Sequence, residues 1–271
     1  MSRIRLVLFD AFDTLITPRL PIHVQYAQEA SKHGLPSITP ESVREAFKPS
    51  FKKTTAQYPQ WGRPTMTPSE WWMVCIEETM RTAGAEGDKL QQVMPRLGKA
   101  LLDRFESAEG YRVFDDVLPC LNRLREADVK TGLVSNADDR ILKTLDALDI
   151  TPLLTAGTTI SQLAGYEKPD PRIYEQACLK AEITPDPSAA EKGPRYPGVL
   201  MIGDELEADY RGSLGAGLEA RLLRRPGEFS EGAKRLSESE EREMLAREGV
   251  NVIRSLDELV AEVTRRNAEE A

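Results

Sequence analysis

Four short stretches carry side chains that could do chemistry together. Asp10 stands in Phe9-Asp10-Ala11-Phe12-Asp13-Thr14-Leu15, directly after an apolar run. Ser135-Asn136 ends a second such run, Lys168 lies in Gly165-Tyr166-Glu167-Lys168-Pro169-Asp170, and Asp204 and Asp209 share Gly203-Asp204-Glu205-Leu206-Glu207-Ala208-Asp209. A carboxylate can attack phosphorus or carbon and form a covalent intermediate, splitting one hard step into two easier ones, which makes Asp10 the candidate nucleophile. The hydroxyl of Ser135 and the amide of Asn136 could hydrogen-bond the transferring group, with Thr14 a further candidate for holding substrate. Lys168 would neutralise both the nucleophile and an incoming anion, which otherwise repel. Asp10, Asp204 and Asp209 form an all-oxygen set of the kind that suits Mg²⁺ and no soft metal. Taken singly, an Asp at a strand end is a helix cap and Ser-Asn is a turn; the chemistry rests on their joint occurrence.

Positioning them requires strands that end where they stand. Ile4–Phe9, Lys130–Val134, Pro152–Ala156, Val199–Ile202, Ala220–Leu223 and Asn251–Ile253 are short, mostly apolar runs, as expected for strands buried on both faces of a parallel sheet. Helical periodicity separates them in Val117, Leu121 and Leu124, in Ile141, Leu142, Leu145 and Leu148, and in Ile173, Ala177 and Leu179. Alternation of this kind predicts an α/β fold, a parallel sheet with helices on both faces and its ligand site beyond the carboxyl ends of the strands. Residues 18–111 interrupt the alternation with far more helix-like sequence than a crossover needs. They read as an inserted helical domain with helices over Ile22–His33, Pro40–Phe47, Pro68–Ala83 and Leu90–Phe105 and a loop over Pro49–Thr67. The α/β domain would then comprise residues 1–17 and 112–271, with Glu228–Glu248 as a solvated helix and loop.

Composition bounds the function. The 271 residues include 44 acidic and 36 basic side chains, a net charge of −8, so no global positive field exists to hold nucleic acid or an anionic membrane. Cys75, Cys120 and Cys178 are far apart and read as reduced thiols. The first apolar run is too short for a membrane span or a signal-peptide core, which gives a cytoplasmic expectation.

In order and placement the four stretches resemble the motifs of the haloacid dehalogenase-like (HAD) hydrolase superfamily, and the similarity spans nearly the whole chain. The resemblance implies a Rossmann-like parallel core with an inserted helical (C1-type) cap over residues 18–111, and a Mg²⁺-dependent phosphatase acting on a small phosphorylated metabolite through an aspartyl-phosphate on Asp10. It also implies a metal held by Asp10, Asp204, Asp209 and the main-chain carbonyl of Phe12, in a monomer or homodimer. HAD phosphatases carry a second Asp two residues after the nucleophile as general acid, and here Phe12 stands there. An aromatic residue at that place also occurs in 2-haloacid dehalogenases, although Gly203-Asp204 with Asp209 is similar to the phosphatase version. A subgroup that likewise lacks the second Asp is similar through Ser135-Asn136-Ala137-Asp138-Asp139-Arg140, Lys168-Pro169-Asp170-Pro171-Arg172-Ile173-Tyr174 and Trp71-Trp72. Loss of turnover, leaving a ligand-binding or interaction module, is the alternative that Phe12 motivates. Within the insertion, Trp61 and Arg63 offer aromatic surface and a positive charge as candidate substrate contacts, against simple packing of Trp61; Trp71 and Trp72 read as core.

Overall fold

The computed structural model describes residues 2–187, 194–226 and 238–269. Strand β1 (Leu6–Phe9) leads through β2 (Ile16–Pro18) into helices α1 (Ile22–Lys32), α2 (Pro40–Gln57), α3 (Pro68–Thr82) and α4 (Gly87–Phe105). The chain then runs β3 (Tyr111–Val113), α5 (Val117–Glu126), β4 (Lys130–Ser135), α6 (Arg140–Ala147), β5 (Thr158–Ile160), α7 (Ser161–Ala164) and α8 (Pro171–Lys180). It ends with β6 (Val199–Gly203), a π-helical turn over Leu206–Arg211, α9 (Gly212–Gly215), β7 (Glu219–Leu223), α10 (Glu238–Arg247), β8 (Val252–Ile253) and α11 (Leu256–Glu269).

Six strands form one sheet in the order β5-β4-β1-β6-β7-β8, every pair parallel, while β2 and β3 form a separate two-stranded sheet. All four residues of β1 and all five of β6 are buried, the pattern of strands covered on both faces. Leu6, Leu8, Val134 and Met201 pack there with Ile173, Tyr174 and Cys178 of α8. Two compact units result: one holds Met1–Thr17, Val113–Ala137 and Asp149–Ala271, the other Pro18–Arg112 and Asp138–Leu148.

The second unit is helical, with Tyr26, Ile76, Met80, Leu90, Leu97 and Leu101 in its core. Helix α6 goes with it and not with the sheet that precedes it in sequence. Lys143 pairs with Glu106 at 2.6 Å, and the Thr144 hydroxyl donates to the carbonyl of Phe105 at 3.2 Å.

Three expectations change. The loop expected over Pro49–Thr67 is helical to Gln57, because Val43, Ala46, Ser50 and Thr54 continue one buried stripe through Pro49. That burial outweighs the roughly 3 kcal/mol that an internal proline costs. Pro152–Ala156 is not a strand: Thr151–Leu153 is a 3₁₀ turn, and the strand begins after Gly157, whose φ of 78° breaks the chain direction. Of the expected solvated segment, residues 228–237 lie outside those described, but Glu241 and Leu245 of α10 are buried, Leu245 against Tyr210, Ala220 and Leu222.

Candidate active site

Asp10, Ser135 and Asp204 stand at the carboxyl ends of β1, β4 and β6, three adjacent strands with β1 in the middle. In-register pairing sets their level: Phe9 lies beside Leu133 on one side and Ile202 on the other, and the Asp10 amide donates to the Ile202 carbonyl at 2.9 Å. The three carboxylates Asp10, Asp204 and Asp209 each offer an oxygen within 4.8 Å of the others, and all three are buried. Lys168 is the cation among them. Its Nζ donates to Oδ1 of Asp10 and to Oδ1 of Asp209, both at 2.6 Å, with the side chain 3% exposed. Burial works against its charge, but the two carboxylates outweigh it and raise the ammonium pKa above its ordinary value.

Lys168 has no regular element to hold it, and Asn136 performs that task. The Asn136 Nδ2 donates to the Lys168 carbonyl at 2.9 Å and its Oδ1 accepts from the Lys168 amide at 2.7 Å. Both ends of the Asn136 amide are engaged by the Lys168 backbone, which gives it a positioning role beside the substrate contact expected of it.

Asp209 is placed by the π-helical turn. The Asp209 and Tyr210 amides both donate to the Glu205 carbonyl, at 2.9 and 3.2 Å, and Oδ2 of Asp209 accepts from the Glu205 amide at 2.8 Å. Turns of this kind recur at functional sites because the extra residue re-aims a side chain. The Tyr174 hydroxyl donates to the carbonyl of Ala208 and fastens the turn to α8. Gly203 is required by space: a Cβ there would lie 2.2 Å from the Asp209 carboxylate. Sequence reasoning missed Tyr174 as a support; its signal was a tyrosine at a buried position of an amphipathic helix, where a hydroxyl needs a partner.

The remaining candidates fall elsewhere. Phe12 and Asp13 lie in the turn after β1, where Asp13 has a φ of 55° and its Oδ1 accepts from the Thr17 hydroxyl at 3.3 Å. Thr14 is fully buried and its hydroxyl has neither accessible surface nor a partner among the described residues, so the substrate contact expected of it does not follow. Trp61 and Arg63 belong to the helical unit. The Trp61 ring stacks on Trp72 at 6.1 Å and meets Trp71 edge-on at 5.1 Å, so packing accounts for it. Trp71 is buried and donates to the Tyr58 carbonyl at 2.8 Å, whereas Trp72 donates to Asp138 Oδ2 at 2.8 Å under the Arg140 guanidinium, 4.5 Å from the ring centre.

Comparison with known proteins agrees with this geometry. The chain belongs to the haloacid dehalogenase-like hydrolases, whose family model matches residues 4–217. A Bos taurus relative, haloacid dehalogenase-like hydrolase domain-containing protein 3, is 29% identical over 225 residues, covering 83% of each chain. Among solved structures, the L-2-haloacid dehalogenase of Xanthobacter autotrophicus superposes with a TM-score of 0.61 at 17% identity, covering 96% of this chain and 98% of that one. The HAD phosphatase of Thermococcus onnurineus gives 0.54 at 20% identity, with 94% and 96% covered. Among the described residues no helix is long and apolar enough to cross a membrane.

Proposed function

We propose that the protein is a cytoplasmic Mg²⁺-dependent phosphatase of small phosphate esters, with Asp10 as nucleophile and residues 18–111 as the cap that selects substrate. The observation that carries this is the buried cluster of three carboxylates around a single lysine. One ammonium against three carboxylates leaves negative charge that burial penalises, and hard oxygen donors suit a divalent cation. Mg²⁺ would be held by Asp10, Asp204, Asp209 and the Phe12 carbonyl, and when bound would neutralise charge on the phosphoryl oxygens.

The chain's own residues do the rest. An oxygen of Asp10 attacks phosphorus as the ester P–O bond breaks and the leaving oxygen takes its electron pair; water then cleaves the aspartyl-phosphate, releasing phosphate and restoring Asp10. Ser135 donates to the transferring group, and Lys168 keeps Asp10 ionised and in place. The leaving oxygen finds no proton on Phe12, so water supplies it. That gap favours the second reading, a HAD fold that binds anions without turnover. A 2-haloacid dehalogenase has no use for Asp204 and Asp209 as a paired metal set.

Phosphate release from a panel of small esters, with and without Mg²⁺, separates these readings. Turnover that disappears on removing Mg²⁺ and in Asp10→Asn is the expected result. Silence of the wild type across the panel, with Mg²⁺ still raising its melting temperature, overturns it in favour of the binding module.

Metal binding should also depend on pH. Burial pushes the Asp209 carboxyl up, Lys168 pulls it down and Asp10 pushes it up again, leaving it at about 7. The folded chain thus keeps a proton that the unfolded chain has lost, so without metal this group's contribution to stability falls as pH rises from about 4 through 7. A cation must displace that proton, so the Mg²⁺-induced rise in melting temperature should grow up to about pH 7 and then level off. A rise equally large at pH 5 and pH 8 would contradict this.

A further inference from the structure

Directly after β7 stand two consecutive arginines, Arg224 and Arg225, that the phosphatase reading does not use. Side chains alternate along extended chain, and these two diverge toward different loops. The Arg224 guanidinium is buried; Nη1 donates to the main-chain carbonyl of Asp204, and Nε donates to Oε1 of Glu241 on α10 at 2.6 Å. Arg225 donates through Nη2 to the main-chain carbonyl of Thr14 at 2.8 Å and through Nη1 to Oδ2 of Asp116 at 2.8 Å. Its guanidinium carbon lies 4.1 Å from the ring centre of Phe114. Asp116 in turn accepts from the Leu256 amide at the start of α11, at 2.8 Å.

Each arginine thus touches one carbonyl in a loop that carries a candidate metal ligand, and each has its own carboxylate. We propose that Arg224 and Arg225 are positioning residues that brace the Asp204 loop and the Asp10–Thr14 loop in the geometry that binds a divalent cation. This rests on the metal-dependent reading of the site. The physical need is specific: Lys168 ties Asp10 to Asp209, and the backbones on which Asp10 and Asp204 stand still have to be fixed in direction before a cation arrives. Because Glu241 and Asp116 cancel the added charge, the arginines act by direction of hydrogen bonds and not by field. The rigid planar fork of a guanidinium holds a carboxylate and a carbonyl in one fixed geometry, which lysine's single ammonium on a flexible stem does not. The brace also gives the buried face of α10 a purpose, since Glu241 holds Arg224 on its target.

The test uses the full chain. Arg224→Met with Glu241→Gln removes both charges together, so that no buried ion is left alone; Arg224→Lys, which keeps the charge, is the second variant should the first not fold. Mg²⁺ affinity is read by calorimetry, and backbone hydrogen exchange is read over residues 202–207. Supports of metal ligands typically contribute 10- to 100-fold to affinity. The expected result is Mg²⁺ binding weaker by about that factor, with faster exchange in the segment and an unchanged circular dichroism spectrum. A folded variant that binds Mg²⁺ as tightly as wild type overturns the proposal. If wild type itself takes up no Mg²⁺, the metal-dependent reading fails, and exchange alone decides: unchanged exchange overturns the brace, and faster exchange upholds it as a loop anchor.

Discussion

Phe12→Asp is expected to raise turnover of alkyl phosphates by about 10²- to 10⁴-fold, the usual contribution of a positioned general acid. The leaving alkoxide is strongly basic, and the structure offers it no proton from Phe12, while the neighbouring Asp13 accepts a hydrogen bond from Thr17. An aryl phosphate leaves as a stabilised anion and needs that proton far less, so its rate should rise little. The contrast between the two substrate classes is the diagnostic. Phe12 contributes to the fold through its backbone bridge to Ile16, which the substitution leaves intact. Kinetics of an alkyl and an aryl ester, measured side by side, check this: equal gains on both, or none on either, would mean that the missing acid is not what limits the protein. Activity that arises from nothing in Phe12→Asp would identify the native chain as a binding module on an otherwise competent site.

Lys168→Met should abolish turnover and destabilise the fold by about 3–5 kcal/mol, because it leaves Asp10 and Asp209 buried without their cation. The pH dependence of the loss follows from the sign of the shift. A lysine whose folded pKa is raised contributes its full stabilisation below the unfolded value, about 10.4, and loses it only as pH climbs through the higher folded value. The lysine's own titration thus lies above the neutral range, and within that range the deficit follows the carboxylates: it should shrink as pH falls and Asp209, left without its cation, takes up a proton. Denaturant unfolding of wild type, Lys168→Met and Lys168→Met with Asp209→Asn measures it; the double variant should recover part of the stability and none of the activity. A single variant within about 1 kcal/mol of wild type would show that the ion pairs are not what holds Asp10 and Asp209 together.

Strand ends and carboxylates were readable from the residues because the apolar runs before Asp10, Ser135 and Asp204 are short and end in small or polar residues, as strands of a doubly covered sheet do. Side-chain direction was not readable. Asn136 carries the same donors and acceptor whether it faces a ligand or a backbone, and only the fold shows that Lys168 occupies both ends of its amide. Thr14 is similar: a hydroxyl four residues after Asp10 gives no sign in the sequence of being buried. The helix through Pro49 and the 3₁₀ turn at Thr151 are places where tertiary burial and a glycine's positive φ overrode local preference. Arg224 and Arg225 lay just past the run that ends at Leu223, and a charged pair at the carboxyl end of a parallel strand was the signal available for them.

The sheet order also dictates a sequence of events during synthesis. Leu6 of β1 pairs with Lys130 on one side and Val199 on the other. The strand that carries Asp10 leaves the ribosome before either partner: its first neighbour emerges only after residues 18–111, and its second later still. Through that interval β1 is an apolar segment with both edges bare, the kind of surface that chaperones shield. Helices α1–α4 make mostly local contacts and can close before either partner strand exists. The nascent chain can therefore pack helices α1–α4 while β1 is still waiting to be buried, and α6 joins that unit only after β4 has emerged.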